Sequence, residues 1–489
     1  MPQLLSIDQG TTSSRAIVFD INGEPLASAQ KEFTQHYPNP GWVEHDPHEI
    51  LKTQIDVAEQ LLGAGKFDIA ALGITNQRET TIVWERSTGQ AIYPAIVWQD
   101  RRTAETCAAL RAAGHEEDVQ QITGLLLDPY FSASKIAWIL EHVPGARARA
   151  ERGELACGTI DSWLAWHLSG GDAHVIDVSN ASRTMLMDIT NARWSEAMLE
   201  LWSIPWELLP QIVSSSGVCA QSHQLSVDLP IAGIAGDQQA ALFGQACFAP
   251  GDVKCTYGTG CFMLMNTGNN IKRSQHRLLT SIAWQLDGEL EYVLEGSVFM
   301  GGATVQWLRD GLKLIDQSAA IEALAAEVEH AGGVVMVPAL TGLGAPHWDP
   351  NARGLLVGLE RSTERAHIAR AALDGIAWQV AELGEAMAAD AGQPMSLVKV
   401  DGGASANNLL MQIQSDVLQC RLARAHNLEA TAWGAAALSG LAVGCWQNRS
   451  ELQASARQAT DFVPQKKAED IAAARRRWQD AVERARNWA

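Results

Sequence analysis

Residues 4–20 read LLSIDQGTTSSRAIVFD, and this stretch decides the fold. A short apolar run ends at a carboxylate, Asp8, and a turn rich in Gly, Thr and Ser separates it from a second apolar run. The pattern predicts two strands joined by a polar turn, and Asn22-Gly23 then predicts a hairpin to a third strand. Residues 252–265, DVKCTYGTGCFMLM, repeat the arrangement in the second half of the chain. Together with the helical patterns between these units, the repeat predicts an α/β protein with two similar domains.

Length, composition and charge narrow the class of protein. A chain of 489 residues exceeds what one hydrophobic core usually organises, and its 47% hydrophobic and 19% charged fractions exclude a disordered chain. The 37 basic and 56 acidic residues give a net charge of −19, so we expect no binding to nucleic acid. No apolar run approaches the roughly 20 residues of a membrane helix, and the first residues lack a signal-peptide pattern. We therefore expect a cytoplasmic protein without membrane insertion.

Three Gly-rich turns follow apolar runs, at 8–14, 257–260 and 401–408. The P-loop, the dinucleotide-binding G-x-G-x-x-G and the protein-kinase motifs are all absent from the sequence. One such turn alone is more typical of a tight bend, but three in this order favour a phosphate site made from backbone N–H and hydroxyl groups. Asp8 would then bind Mg²⁺ directly or through its bound water, and Arg15 would pair with a phosphate.

Longer motifs carry a resemblance to a known family. Residues 8–15 (DQGTTSSR), 73–81 (GITNQRETT) and 236–240 (GDQQA) resemble those of the FGGY carbohydrate kinases. Two further signatures of that family are similar to residues 130–142 (YFSASKIAWILEH) and to the stretch from GLLVGL at 354 through HIARAALD, which ends at 374. The similarity runs from about residue 4 to about residue 465.

The resemblance implies two actin-like (ribonuclease H-like) domains with the active site in the cleft between them. We place the N-terminal domain at 1–246 and the C-terminal domain at 247–489. The implied reaction is the ATP-dependent phosphorylation of glycerol to sn-glycerol 3-phosphate and ADP by direct in-line transfer, with ATP and Mg²⁺ as cofactors. The family also implies a homo-oligomer, either a dimer or a tetramer.

The resemblance also assigns site residues. Asp237 is expected to be the general base, because a carboxylate hydrogen-bonded to an alcohol can orient it and take its proton. The expected substrate-binding residues are Arg78, Glu79, Trp98, Tyr130, Asp237, Gln238 and Phe262. The expected ATP-binding residues are Thr11, Thr12, Ser13, Arg15, Thr259, Gly302, Gln306, Gly403 and Asn407. Asp8 is the expected metal ligand.

Two other functions remain open at this point. Another FGGY kinase could act on a pentulose or on gluconate, although those members are not expected to carry the Asn-Gln-Arg-Glu set of residues 76–79. An actin-like or Hsp70-like ATPase could share the fold, because fold alone does not decide function. An ATPase of that kind needs no pocket for a small polyol, so it would not explain the Arg78-Glu79 pair and the aromatic residues expected beside it.

One loop bears on whether a sugar bisphosphate can inhibit this protein. Fructose 1,6-bisphosphate inhibits some members of the family through a Gly-rich, basic loop just before the strand that leads to the catalytic Asp. The corresponding residues here, 217–230 (GVCAQSHQLSVDLP), contain no Lys or Arg and only one Gly. We therefore expect this protein to be insensitive to the bisphosphate.

Overall fold

The computed structural model describes residues 2–63, 65–425, 429–454 and 460–489. It confirms the predicted α/β class. The strands are β1 (Gln3–Gln9), β2 (Ser13–Phe19), β3 (Pro25–Glu32), β4 (Glu44–His45), β5 (Ile69–Asn76), β6 (Ile82–Glu85), β7 (Ala95–Ile96), β8 (Leu155–Gly158), β9 (Val175–Asp177), β10 (Met187–Asp188), β11 (Arg193–Trp194), β12 (Gln211–Val213), β13 (Ser216–Ser222), β14 (Leu229–Gly236), β15 (Val253–Tyr257), β16 (Cys261–Gly268), β17 (Leu279–Leu286), β18 (Glu289–Val298), β19 (Val335–Val337), β20 (Leu355–Val357), β21 (Leu397–Asp401), β22 (Arg421–Arg424) and β23 (Thr460–Phe462).

The helices cover both faces of the sheets and vary widely in length. They are α1 (Pro47–Leu62), α2 (Ala104–Ala112), α3 (Glu116–Thr123), α4 (Ser132–His142), α5 (Ala146–Glu151), α6 (Ile160–Leu168), α7 (Val178–Ala181), α8 (Glu196–Trp202), α9 (Asp237–Gly244), α10 (Gly302–Asp310), α11 (Ala320–Ala325), α12 (Arg365–Ala391), α13 (Asn408–Leu418), α14 (Ala430–Ala442), α15 (Arg449–Ala454) and α16 (Ala468–Ala485). In the parts of the chain that the structure describes, no helix is both long and apolar enough to cross a bilayer.

The two predicted strand–turn–strand units lie at the centres of two separate sheets. The first sheet has the order β13-β14-β5-β1-β2-β3, and the second has the order β17-β18-β16-β15-β21-β22-β23. In each sheet the unit is an antiparallel pair, β1 with β2 and β15 with β16, and a parallel strand flanks it. Five strands of each sheet therefore follow the same spatial order, which is β3-β2-β1-β5-β14 in the first sheet and β18-β16-β15-β21-β22 in the second. The internal repeat seen in the sequence is a repeat of topology.

Local sequence explains the elements that lead to the site. The parallel strands β5 and β14 are almost wholly buried and read IAALGITN and LPIAGIAG, as expected for strands covered on both faces. The predicted hairpin after β2 forms, with Gly23 at a φ of 81°. Asp46 caps α1 by accepting from the backbone N–H of His48, and a proline occupies the first turn of that helix.

Helices α9 and α14 lie between the two sheets. Although α14 comes from the second half of the sequence, it packs on β1, β5 and β14 of the first sheet and along α9. A Cβ on Gly434 would lie 1.8 Å from the carbonyl oxygen of Ala240, so only glycine allows the two helices to approach this closely. Their apolar side chains join Leu4 and Phe19 of the first sheet to Leu264 and Val293 of the second in one buried cluster. The two halves thus share one hydrophobic cluster.

Candidate active site between the two sheets

A pocket of about 330 Å³ opens where the two halves meet. Its walls come from the turn after β1, the segment after β5, the first turn of α9 and the turn between β15 and β16. The lining residues are Thr11, Thr12, Gln35, Tyr37, Arg78, Glu79, Trp98, Gln99, Tyr130, Asp237, Gln238, Thr259, Gly260 and Phe262. All the substrate-binding residues predicted from the sequence therefore lie around one cavity. Gln35, Tyr37, Gln99 and Gly260 were not predicted.

Asp237 is the first residue of α9, and Gly236 before it is the N-cap. The carboxylate is about a third exposed to the pocket. Its Oδ1 accepts from the backbone N–H of Gln238 at 2.7 Å and lies 3.2 Å from Nε of Arg78. These two contacts hold the carboxylate in place at the positive end of a helix, while the group still faces the cavity.

Arg78 and Glu79 follow the end of β5 and are almost completely buried, at 3% and 1% exposure. Glu79 adopts a φ of 61°, an uncommon backbone conformation for a residue with a side chain. This turn places both neighbouring side chains along the same pocket, although successive residues of a strand would point to opposite faces. The predicted pair of a fixed donor and a fixed acceptor is thus present at the cavity wall.

Arg78 and Glu79 belong to a larger buried ion-pair network that the sequence did not predict. Glu295 of β18 accepts from Nη1 of Arg78 at 2.6 Å and from Nη2 at 2.7 Å, a two-bond fork. Arg183 donates through Nε to Glu79 at 2.6 Å and through Nη2 to Glu295 at 3.2 Å. Burial alone would raise the pKa of Glu295, but the charges of Arg183 and Arg78 outweigh burial and hold that pKa at about 2. Glu295 is therefore an ionised carboxylate inside the protein.

Three aromatic rings form the apolar wall. Trp98 meets Tyr130 edge-on with 5.6 Å between ring centroids, and Phe262 of the other half lies 6.5 Å from Trp98. The indole Nε1 of Trp98 donates to the hydroxyl of Thr11 at 3.0 Å, which ties this wall to the first Gly-rich turn. Burial raises the pKa of Tyr130, so its phenol keeps its proton and can donate a hydrogen bond.

The other predicted residues of the first half lie just outside the pocket lining. Asp8 is the next-to-last residue of β1, with Arg15 opposite it on β2 and 3.3 Å from its carboxylate, and Arg15 also pairs with Glu429. Burial raises the pKa of Asp8 to about 6; Arg15 opposes this effect, whereas the charges of Asp237 and Glu429 add to it. Ser13 is on β2, where its hydroxyl accepts from Gln30 at 3.0 Å.

A second pocket, of about 380 Å³, continues from the first on the side of the second sheet. Gly302, Gln306, Gly403 and Asn407, which are expected to bind the adenine nucleotide, all line this pocket. Thr259 lines both pockets, so the turn between β15 and β16 is the point at which they meet. Asn407 also caps α13 by accepting from the backbone N–H of Leu410 at 2.8 Å, which fixes its side chain at the pocket edge.

Comparisons with known proteins match the whole chain. A model of the FGGY family of carbohydrate kinases, N-terminal domain, matches residues 3–244, and the C-terminal domain of the same family matches residues 253–443. A glycerol kinase of Aromatoleum aromaticum is 58% identical over 493 residues, covering 100% of this chain and 99% of that protein. The crystal structure of Plasmodium falciparum glycerol kinase with ADP superposes with a TM-score of 0.93 and 36% identity, covering 99% of this chain and 98% of that one.

A more distant structure shows how widely the architecture is shared. The ligand-bound xylulose kinase from Lactobacillus acidophilus has a TM-score of 0.88 at 20% identity and covers 99% of this chain and 97% of its own. At this identity the likeness concerns the fold alone. The residues around the pocket, and not the architecture, must therefore separate one substrate from another.

Proposed function

Because this chain belongs to the FGGY family of carbohydrate kinases, we propose that it transfers the γ-phosphoryl group of ATP to glycerol, forming sn-glycerol 3-phosphate and ADP. The observation that carries the proposal is the meeting of two pockets at Thr259. One pocket has polar groups suited to a small triol, and the other is lined by the residues expected to hold a nucleotide. Asp237 faces the first pocket.

Glycerol is uncharged, so its recognition needs hydrogen bonds that converge on its hydroxyls and apolar walls for its carbons. In our proposal, Arg78 donates and Glu79 accepts at adjacent hydroxyls, and the phenol of Tyr130 supplies a further donor. Trp98 and Phe262 cover the carbon chain.

Gln238 is proposed to donate to glycerol. Its amide oxygen already accepts from the buried ammonium group of Lys254, which leaves the amide N–H groups for a ligand.

Phosphoryl transfer needs a nucleophile held in line with the bond that breaks. A primary hydroxyl of glycerol attacks the γ-phosphorus, the bond to the β–γ bridging oxygen breaks, and the hydroxyl proton passes to Asp237. Oδ1 of Asp237 is held by Arg78 and by the backbone of Gln238, so we assign the proton to Oδ2. No covalent phosphoenzyme forms.

The phosphates are proposed to bind between the two Gly-rich turns. Thr11, Thr12 and Ser13 offer hydroxyl and backbone donors from the first turn, and Thr259 does so from the second. Arg15 supplies a cation on β2. Gly302, Gln306, Gly403 and Asn407 would hold the adenosine.

The residues around Asp8 fit Mg²⁺, a cofactor shared by kinases. The carboxylate of Asp8 is largely buried, and burial is the main cause of its raised pKa; Arg15 opposes the rise, and the charges of Asp237 and Glu429 add to it. A divalent cation is favourable beside these carboxylates. Within the described ranges, no three His, Cys, Asp or Glu side chains form a metal site by themselves. Mg²⁺ usually takes one or two carboxylates together with phosphate oxygens and water, so Asp8 would hold it jointly with the nucleotide. When bound, the ion neutralises phosphate charge.

A substrate panel tests the proposal. ADP formation is followed with glycerol, dihydroxyacetone, xylulose and gluconate at saturating MgATP, and the product is identified with a dehydrogenase specific for sn-glycerol 3-phosphate. We expect glycerol to give the highest kcat/KM. A higher value for xylulose or gluconate would assign another sugar kinase, and ADP formation that needs no acceptor would assign an ATPase.

A further inference from the structure

The buried ion-pair network reaches the glycerol pocket from the opposite half of the molecule. Glu295 lies on β18 of the second sheet and is completely buried, whereas its partners Arg78 and Arg183 belong to the first half. Neither Glu295 nor Arg183 lines the pocket. Burying a carboxylate this deeply costs free energy, and pairing it with arginines offsets that cost but often adds no net stability. The pairing therefore calls for a functional explanation.

The hydrogen bonds show what Glu295 does to Arg78. An arginine has five N–H donors in a rigid, planar fork. Three of those of Arg78 are held by Glu295 and Gln239, at 2.6, 2.7 and 3.1 Å. The plane of the guanidinium is thereby fixed, and its Nε is left 3.2 Å from Asp237.

Arg183 plays the same part for Glu79. It is completely buried, and it donates to Glu79 through Nε and to Glu295 through Nη2. Its third partner is the hydroxyl of Ser281 on β17, at 2.9 Å, which is again a residue of the second sheet. The second half thus orients Arg78 directly through Glu295, and it orients Glu79 indirectly, because Glu295 and Ser281 hold Arg183.

We propose that Glu295 and Arg183 are positioning residues that fix Arg78 and Glu79 in the geometry that glycerol requires, with the second sheet supplying the anchor. The inference rests on the proposed function. Two guanidinium groups and two carboxylates balance inside the network. Without the charge of Glu295, the nearest remaining carboxylate for Arg78 is Asp237, at 3.2 Å, followed by Glu79, at 3.9 Å. Arg78 would then turn toward the catalytic carboxylate and away from the substrate hydroxyl.

The test compares Glu295→Gln with Glu291→Gln. Glu291 is a matched control because it lies on the same strand, is partly buried and is paired with an arginine, Arg449, away from the pocket. For Glu295→Gln we expect the KM for glycerol to rise at least tenfold, with the KM for ATP within threefold of the parent value. Glu291→Gln should leave both values within threefold. Equal changes in the two KM values, or an unchanged KM for glycerol, would overturn the inference.

Ser281→Ala serves if Glu295→Gln does not fold, because removing one hydroxyl creates only a small change in volume. It leaves one N–H of Arg183 without its acceptor, and we expect a selective rise of about three- to tenfold in the KM for glycerol. A folded Ser281→Ala enzyme with the parent KM for glycerol would also overturn the inference. Failure of the proposed function has a different signature, namely a parent enzyme that forms no ADP in response to glycerol. In that case the same variants are compared on the acceptor that the substrate panel identifies.

Discussion

Asp237 begins a helix, contacts a buried arginine and still faces a cavity. The two contacts to Oδ1 fix its orientation without removing it from reach of a ligand. Such a carboxylate can both align an alcohol and accept its proton, whereas an amide in the same place could only align it.

Asp237→Asn is therefore expected to lower kcat by about 10²- to 10⁴-fold, because the amide keeps the shape of the side chain but cannot accept the proton. Glycerol binding, measured by calorimetry without ATP, should change little. Asp228→Asn, in an exposed loop, is the control and should behave like the parent. Turnover close to the parent value in a folded Asp237→Asn enzyme would remove this residue from the role of base.

Arg78→Ala and Glu79→Ala should each raise the KM for glycerol far more than the KM for ATP. Each change removes one hydrogen-bonded partner from a buried charge, at roughly 1–3 kcal/mol per group, which corresponds to about a 5- to 150-fold change. Steady-state kinetics with each substrate varied in turn provides the measurement. Arg86→Ala, which removes an arginine that donates to the backbone carbonyls of Leu155 and Glu207 away from the pocket, is the matched control. If both KM values rise equally, these residues support the fold and not the triol.

At this scale the sequence predicted residues that lie in distinctive local motifs and missed those whose partners are distant. Asp8 lies where an apolar strand meets a Gly-rich turn, and Asp237 follows a glycine at the end of another apolar strand, so both patterns can be read locally. Glu295 is satisfied by arginines 217 and 112 residues earlier in the chain, so nothing nearby explains it. Its one local signal is an acidic residue inside the apolar run VLEGSV of a strand, which is rare unless the charge is paired.

Strands and helices were predicted best where a single pattern fixed them. The Ala-rich amphipathic pattern of residues 366–391 predicts a helix by itself. The helix is Arg365–Ala391, and it ends at Gly392 in a left-handed conformation. The position of α14 could not be predicted, because its Ala-rich sequence is apolar on all sides and does not specify which sheet it covers. Only the three-dimensional structure shows that it crosses to the first sheet.

The predicted insensitivity to fructose 1,6-bisphosphate depends on residues 217–230, which include most of strand β13 and the loop after it. In the structure, the backbone N–H of Ser226 in this loop donates to Glu59 at 2.6 Å, and His223 lies 3.4 Å from Asp228. The loop thus packs against an additional carboxylate. A bisphosphate with about four negative charges needs cations or a Gly-rich nest of N–H groups, so the loop is a poor site for it.

We therefore expect the initial rate to be independent of fructose 1,6-bisphosphate at pH 7 and subsaturating glycerol. Ionic strength is matched with sulfate, so that screening by the ligand's charge is not mistaken for binding. Saturable inhibition at millimolar or lower concentration would contradict the expectation.

For the molecule as a whole, the predicted pair of actin-like domains is confirmed, while the exact domain boundary at residue 246 stays a prediction. The free energy of unfolding also depends on pH for the molecule as a whole, because different buried groups change it in opposite directions. Burial lowers the pKa of His174 to about 4, and it raises the pKa of Asp161, beside Asp177, to about 7. On acidification His174 weakens the folded state and Asp161 strengthens it.

Single variants separate these two effects. Between about pH 6.5 and 4 the unfolded chain takes up a proton at His174 that the folded chain does not, so the parent loses stability relative to His174→Asn. Between about pH 7 and 3.8 the folded chain holds the proton on Asp161, so the parent gains stability relative to Asp161→Asn. Urea titrations at pH 7.5 and 5 should show shifts of opposite sign, each about 2–3 kcal/mol. Shifts of the same sign would contradict the assignment.

Because α14 comes from the second half of the chain and packs on the first sheet, cutting the backbone between the halves need not separate them. A protease site inserted between Pro250 and Gly251 would cut the backbone between the first sheet and the second, yet α14 would still pack against α9 through the close approach at Gly434. We expect the two fragments to migrate as one species in size-exclusion chromatography and to keep glycerol-dependent ADP formation, with the uncut parent treated with the same protease as the control. Fragments that separate without denaturant would show that the backbone link, and not the packing of α14, holds the halves together.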